Sequence, residues 1–419
     1  MPPIQELIKK RMAFGAWCVF EEEILDEERC RRIKQSGLDF GYIGIKADHS
    51  NVLPILDACQ RNGLYALVFD PRVQGMFADQ TFRLEKAIAD YKDHPALAGF
   101  CLRDEPGVDD FSRLRKLTDA CLKAAPDKMP AINLYPNYAN RDQLGCETYE
   151  EHIDRYADEL ALDTISYDFY PLYGIPGGET WLQDNYLRNF EVVARACKRK
   201  GCDMWYFIQC LCFNHICREP NEADIRWQIY CAMSFGAKVI QLFTYGTPGN
   251  GDETFEDSMI ARDGTATERY YAVQKVIGEM NRFTGHYVPY QWEGAMTCRN
   301  NLSTSGRTID VVFPGYVRKV NLKGNYMDLD HELDHFDPIT SFEGEYPLLV
   351  GCFTQDEKRA FTLVNMEDPG RNRANKAVVN FDGAKTLMVH GKDGSHKVET
   401  DGQWQVELAC GEGLFVEIL

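Results

Sequence analysis

Eight short apolar runs, separated by segments of helical spacing, occupy the chain up to about residue 285. No other feature constrains the fold as tightly. The runs are 12–20, 40–48, 64–71, 97–105, 130–137, 162–171, 203–212 and 238–248. Between them, segments 26–36, 51–62, 80–92, 109–125, 181–200 and 221–235 place apolar residues three and four apart, the spacing of one buried helix face. Strands that alternate with helices must run parallel and be joined by crossovers. Eight such units in about 275 residues match a closed (β/α)8 barrel in count and length. An open doubly wound sheet is the alternative, but no glycine-rich phosphate fingerprint follows the first run.

After Gly285 the texture changes to alternating pieces at 307–313, 348–354, 359–366, 376–381, 385–391, 403–409 and 413–419. Turn signals such as Glu367-Asp368-Pro369-Gly370 and Lys392-Asp393-Gly394-Ser395 separate them. The predicted fold class is therefore α/β, a (β/α)8 TIM barrel over 1–286 with a C-terminal all-β sandwich over 287–419. Residues 314–347 read as a long excursion. Ile4, Leu7 and Ile8 predict a short amphipathic helix ahead of the first strand.

The net charge of −18, from 46 basic and 64 acidic residues, argues against nucleic acid or an anionic membrane surface as a partner, since both need a basic footprint. No apolar run reaches the roughly 18 to 20 residues of a membrane span. The N-terminus lacks the layout of a secretory signal. The fifteen cysteines, an odd number, lie mostly in apolar stretches (Cys18, Cys101, Cys231, Cys352), as free thiols do in a reducing compartment. A cytoplasmic protein is expected, with no cofactor; a homo-oligomer is compatible with these numbers and not required by them.

Polar and aromatic residues close many of the runs: Asp48, Asp70, Asp104 with Glu105, Tyr135 with Asn137, Asp168 with Tyr170, and Gln209. The active sites of (β/α)8 barrels sit at the carboxyl ends of the strands. The sharpest local signal is Gly99-Phe100-Cys101-Leu102-Arg103-Asp104-Glu105-Pro106-Gly107, a strand that runs into adjacent carboxylates and stops at proline. Partial burial beside a second acid would raise the pKa of Glu105 and suit it to donate a proton. A solvated acidic turn opening a helix is the plainer alternative.

The order GFCLRDEPG…INLYPNYA…ISYDFYPLYG…IRWQIYCAMSFGAKVIQLFTYGTP resembles bacterial barrel proteins of the β-galactosidase-like and related glycoside-hydrolase families, over most of the first 285 residues. The resemblance implies a glycosidase acting on a small glycoside or oligosaccharide, so a carbohydrate is the expected partner. In the clan with catalytic glutamates on the fourth and seventh strands, the acid/base follows an asparagine as Asn-Glu-Pro. Asp104-Glu105-Pro106 stands there, which implies that role for Glu105. The departure is on the seventh strand, Trp205-Tyr206-Phe207-Ile208-Gln209-Cys210, where Gln209 stands near the clan's nucleophilic glutamate. An amide cannot form the glycosyl ester.

Asp168 is the leading substitute for the missing carboxylate, ahead of Glu219 and of Asp252 with Glu253. Asp48, Asp104, Asn133, Tyr135, Tyr170, Gln209 and Tyr245 are the expected substrate contacts. Trp17 and Tyr42 are further candidates for stacking on a sugar face; His49, beside Asp48, is a possible site histidine, with an ordinary loop histidine the plainer reading. Cys210, Cys212, His215 and Cys217 carry donor types that zinc favours. Strand alternation, however, turns the first two thiols away from the face of Gln209, and no metal is expected. A carbohydrate-binding barrel without catalysis remains a rival, as does a sugar enzyme of another reaction type, a lyase or a phosphorylase.

Overall fold

The structure is a computed structural model that describes residues 2–19, 27–44, 50–70, 72, 81–174, 179–214, 217–251, 253–302, 307–313 and 316–419. All eight runs form strands: β1 (Ala13–Ala16), β2 (Phe40–Gly44), β3 (Tyr65–Phe69), β4 (Leu97–Asp104), β5 (Met129–Leu134), β6 (Thr164–Asp168), β7 (Asp203–Gln209) and β8 (Val239–Phe243). They pair in chain order, and β8 closes on β1 in parallel, Ala13 opposite Val239. The strands are mostly buried on both faces, which is why they read as continuous apolar runs. Large side chains fill the interior. The Phe40 and Trp205 rings lie 5.5 Å apart. A β-carbon on Gly15 would lie 2.2 Å from the Phe40 ring, so only glycine fits there. The barrel is a packed core rather than a pore.

The helices are α1 (Pro3–Ile8), α2 (Glu27–Gln35), α3 (Val52–Arg61), α4 (Thr81–Tyr91), α5 (Val108–Ala124), α6 (Arg141–Leu144), α7 (Tyr149–Glu159), α8 (Tyr186–Lys200), α9 (Glu222–Met233), α10 (Glu268–Asn281) and α11 (Thr284–Tyr287). They include every helix the periodicity predicts. In α5, Val108, Phe111, Leu114, Leu117 and Cys121 recur at helical spacing and form the buried face, which packs on β4 and β5. Among the described residues no helix is long and apolar enough to cross a membrane.

The chain divides into two compact units, each discontinuous. The first comprises Met1–Asp168, Arg195–Phe207 and Lys238–Gly246; the second comprises Phe169–Ala194, Ile208–Ala237 and Thr247–Leu419. The second contains the C-terminal strands β9 (Gln291–Cys298), β10 (Arg307–Phe313), β11 (Tyr316–Leu322), β12 (Ile339–Gly344), β13 (Leu348–Gln355), β14 (Lys358–Asn365), β15 (Asn375–Phe381), β16 (Lys385–Gly391), β17 (Gly394–Thr400), β18 (Gln403–Leu408) and β19 (Gly413–Ile418). A six-stranded sheet runs β9-β13-β14-β19-β16-β17, a three-stranded sheet runs β12-β15-β18, and β10 pairs with β11. Phe361, Leu363, Leu387 and Val389 of the larger sheet meet Val379, Phe381, Trp404 and Leu408 of the smaller in one core. The result is the predicted sandwich. The stretch 314–347 is no single excursion, because it supplies β11 and β12.

Within the same unit α9 packs on β14 and β19. Ser234 Oγ lies 2.7 Å from Thr362 Oγ1, and a β-carbon on Gly413 would lie 2.5 Å from the Tyr230 ring. All fifteen cysteines are unbridged thiols.

Candidate active site

The fourth strand carries one residue more than its neighbour requires. Cys101 stands opposite Ala131 and Arg103 opposite Ile132, which leaves Leu102 without a partner. Strict alternation would put residue 104 on the face of Phe100 and Leu102. The bulge reverses that and sets Asp104 opposite Asn133. Bulges commonly re-aim side chains beside active sites in this way.

Asn133, buried at the end of β5, is the hub of a polar chain. Its Nδ2 donates to Asp168 Oδ1 at 3.1 Å and to Asp104 Oδ1 at 3.3 Å. Its Oδ1 accepts from Ser166 Oγ at 2.9 Å; Ser166 accepts from Gln241 Nε2 at 3.0 Å; Gln241 Oε1 accepts from Tyr42 OH at 2.6 Å. Every donor in the series Tyr42, Gln241, Ser166, Asn133 points the same way along the chain, towards the two carboxylates. That direction fixes how the Asn133 amide is turned, and each bond polarises the next. Burial raises the Tyr42 phenol well above its usual range, with the Cys101 and Asp104 charges acting in the same direction, so Tyr42 serves as a neutral donor.

The Asp104 side chain is open to solvent, yet its pKa is raised. Desolvation by the surrounding protein is the largest cause; the Asn133 bond and the Arg103 charge oppose it. The two observations are compatible, because a group at a concave barrel mouth can touch water while most of its surroundings are protein. A folded-state pKa above the unfolded value means that the ionised carboxylate costs stability. The cost is absent below the unfolded pKa, near 4, and is fully present above the folded one. Asp104→Asn is therefore expected to unfold at a higher temperature than wild type at neutral pH, with the difference shrinking to nothing as pH falls below about 4. A thermal melt series against pH checks this. The same gap at every pH would mean that ionisation is not its source.

Glu105 is half-buried and adopts a left-handed backbone, φ 46°, and its N–H donates to Asn133 O at 2.8 Å. Non-glycine residues pay about 1–2 kcal/mol for that conformation, and the following Pro106 disfavours helical geometry before it. Strain of this kind persists where the surrounding structure imposes it, typically at functional sites. The Glu105 charge also acts on Tyr135, whose pKa is raised first by burial and then by Glu105. Glu105→Gly is accordingly expected to raise stability by up to about 1 kcal/mol while removing the carboxylate. Urea unfolding measures the gain, and a loss of stability would show that the side chain holds the turn together.

The structure thus brings Asp104, Asn133 and Asp168 together, with Glu105 and Tyr135 beside them. Trp17 lies against Tyr42, ring centroids 4.6 Å apart, and against Phe69 and Phe207. Tyr245 is buried, and its N–H donates to Trp17 O. Tyr42, expected as a stacking platform, is instead an interior donor. Asp48 and His49 lie outside the described residues. Asp70 is held by Arg72, Oδ2 to Nη2 at 2.6 Å, and so is a structural ion pair. Ser166 and Gln241 were not anticipated. The signal available was a polar residue within an otherwise apolar strand, at period two from Asp168 in one case and inside Val239-Ile240-Gln241-Leu242-Phe243 in the other.

The remaining candidates belong to the second unit. Tyr170 is buried with its ring 5.6 Å from Phe213. Gln209 corrects the expectation of a sugar contact. It has no exposed surface, and its amide is consumed by main chain: Oε1 accepts from Leu172 N–H at 2.9 Å, while Nε2 faces the carbonyls of Leu172, Leu211 and Arg218 at 3.1, 3.3 and 3.3 Å. Glu219 is exposed and paired with Arg269 at 3.0 Å, and Glu253 accepts from Asn214. Cys212 donates to the Cys217 carbonyl, and burial pushes its thiol up to about 12; Cys210 is likewise raised to about 12 by burial. Neutral, buried thiols are packing groups. His215 and Asp252 lie outside the described residues.

No protein-family model matches the chain, and no curated protein matches it in sequence. Solved structures do match it in fold. A β-galactosidase from Rahnella sp. R3 superposes with a TM-score of 0.57 at 10% identity, over 98% of this chain and 98% of that one. A glycoside hydrolase family 5 structure from Bacteroides vulgatus ATCC 8482 gives 0.56 at 10% identity, over 97% and 89%. A β-galactosidase from the psychrophilic Marinomonas ef1 gives 0.52 at 12% identity over 64% of this chain, which spans only 60% of that protein's length. The fold of this chain is therefore that of barrel proteins from several glycoside-hydrolase families, a (β/α)8 barrel followed by a β-sandwich.

Proposed function

We propose that the chain is a glycoside hydrolase acting on a small glycoside or oligosaccharide in the cytoplasm, with residues 1–286 as its catalytic barrel and 287–419 as an accessory sandwich. The observation that carries this reading is the Asn133 amide shared by Asp104 and Asp168 at the carboxyl ends of β4 and β6, beside the strained turn at Glu105. Glycoside hydrolysis passes through an oxocarbenium-like transition state flanked by two carboxyl groups, one protonating the leaving oxygen and the other meeting the anomeric centre or its water. Glu105 takes the first role and Asp168 the second. The Asn133 bond orients Asp168, and Tyr135, Trp17 and Tyr245 offer apolar faces with polar tips to a sugar ring.

A second assignment of the acid rests on Asp104. Its raised pKa favours a held proton, and two acceptors on the two hydrogens of one amide nitrogen lie roughly 5–5.5 Å apart, the spacing of retaining enzymes. The test of the function itself is sugar release from a panel of α- and β-aryl glycosides by the full chain, with the product anomer read by NMR. Turnover of one glycoside is expected. Saturable binding of sugars with no turnover across the panel would convert the reading to a carbohydrate-binding barrel.

A further inference from the structure

Far along the chain from these carboxylates, the second unit gathers two histidines and a glutamate whose arrangement the hydrolase reading does not use. His286 on α11, His390 on β16 and Glu417 on β19 each present one ligand atom, and the three atoms lie within 4.8 Å of one another. Among the described residues it is the one group of three such side chains found. His390 Nε2 is 2.9 Å from Glu417 Oε2, and His286 Nδ1 is 3.4 Å from the same oxygen. Tetrahedral coordination with bonds near 2.0–2.1 Å separates neighbouring ligand atoms by about 3.3 Å, so small side-chain adjustments suffice to seat an ion.

The surroundings are those of a built site. His390 is almost fully buried, and its other ring nitrogen meets Ser395 Oγ at 2.7 Å, which fixes the ring. The second oxygen of Glu417 accepts from Tyr290 OH at 3.1 Å. The Phe283 and Phe415 rings stack with His390 at 5.9 Å and form apolar walls. His286 has more than half of its side chain exposed, which leaves an entry path and room for a water ligand. A plain buried His–Glu bond would account for His390 and Glu417. It would not account for a second imidazole turned onto the same carboxylate oxygen, its ring 4.6 Å from the first.

We infer that His286, His390 and Glu417 form a site for one divalent d-block cation, zinc foremost. Two imidazoles, borderline nitrogen donors, with a single carboxylate suit zinc, and one hard oxygen ligand leaves calcium and magnesium poorly served. The ion would join three elements that are separate in sequence, and so act as a staple of the second unit.

The test uses the full chain stripped with chelator, reloaded with Zn²⁺ and dialysed. One equivalent retained is the expected result, with Tm raised by about 5 °C at saturating metal. His286→Ala, at an exposed position, is expected to keep the metal-free Tm and lose both the equivalent and the rise, and Glu417→Gln is expected to lose the equivalent. Since the chain has fifteen thiols, Co²⁺ provides the control: visible d–d bands without a near-ultraviolet sulfur-to-cobalt band place the ion on nitrogen and oxygen. Retention of the same equivalent by His286→Ala and Glu417→Gln, a thiolate band in the Co²⁺ spectrum, or no metal retained by wild type would each overturn the site.

Discussion

Glu105→Gln is expected to lower kcat by about 10²–10⁴-fold on glycosides whose leaving groups are poor, and by much less on activated aryl glycosides that depart without protonation. Asp168→Asn is expected to lose a similar factor on both, because the anomeric centre needs its carboxylate whatever the leaving group. The contrast across a leaving-group series separates the roles, and circular dichroism of each variant guards against misfolding. Should Asp104→Asn show the leaving-group dependence while Glu105→Gln does not, the proton donor is Asp104 and Glu105 is a binding residue. Equal activity of all three variants with wild type would remove the cluster from catalysis altogether.

The second large effect is on stability. Placing a glutamate at position 209, as the seventh strand of the resembled clan would have it, is expected to destabilise the protein by about 3–5 kcal/mol at neutral pH and to add no activity. The Gln209 Nε2 hydrogens face three carbonyl oxygens in a fully buried setting. A carboxylate there sets oxygen against oxygen in a fully buried setting. Protonation supplies one donor, so the folded pKa of the new acid lies above its unfolded value and the deficit grows as pH rises. Urea unfolding of Gln209→Glu at pH 5 and pH 8 reads both the size and the slope. A midpoint matching wild type at pH 8, or a gain in turnover, contradicts the assignment of Gln209 as a main-chain clamp.

How much the sequence disclosed follows from which forces leave a periodic trace. The eight barrel strands were legible because each is buried on both faces, and the helices because each buries one. Strand β17, Gly394–Thr400, was not legible: it lies at an edge of its sheet and its residues are mostly exposed, so it shows no apolar alternation. At the site, Asp104, Glu105 and Asp168 stood out as polar strand ends, whereas Asn133 was named only as a substrate contact and its place as hub was hidden. The bulge at Leu102 was hidden, because a strand that is apolar on both faces gives no hint that its register has slipped. Gln209 was misread for a related reason. Position at a strand end shows where a side chain begins, whereas its partners, the backbone of Leu172, Leu211 and Arg218, depend on loops that no local pattern encodes.

The interleaving of the two units has a consequence for how the molecule is made. The chain passes between them five times, at 168/169, 194/195, 207/208, 237/238 and 246/247. On a ribosome the first unit has all its residues once Gly246 emerges, whereas the second, begun at Phe169, waits for Leu419. During that wait helix α9 has no β14 or β19 to cover it, yet every residue from Asp224 to Met233 is buried in the finished fold. Such a nascent chain carries a helix that lacks part of its apolar cover until those strands are made, the kind of surface that chaperones bind and that aggregates when they do not. A stop codon ahead of β14 would leave that helix permanently without the cover of both strands.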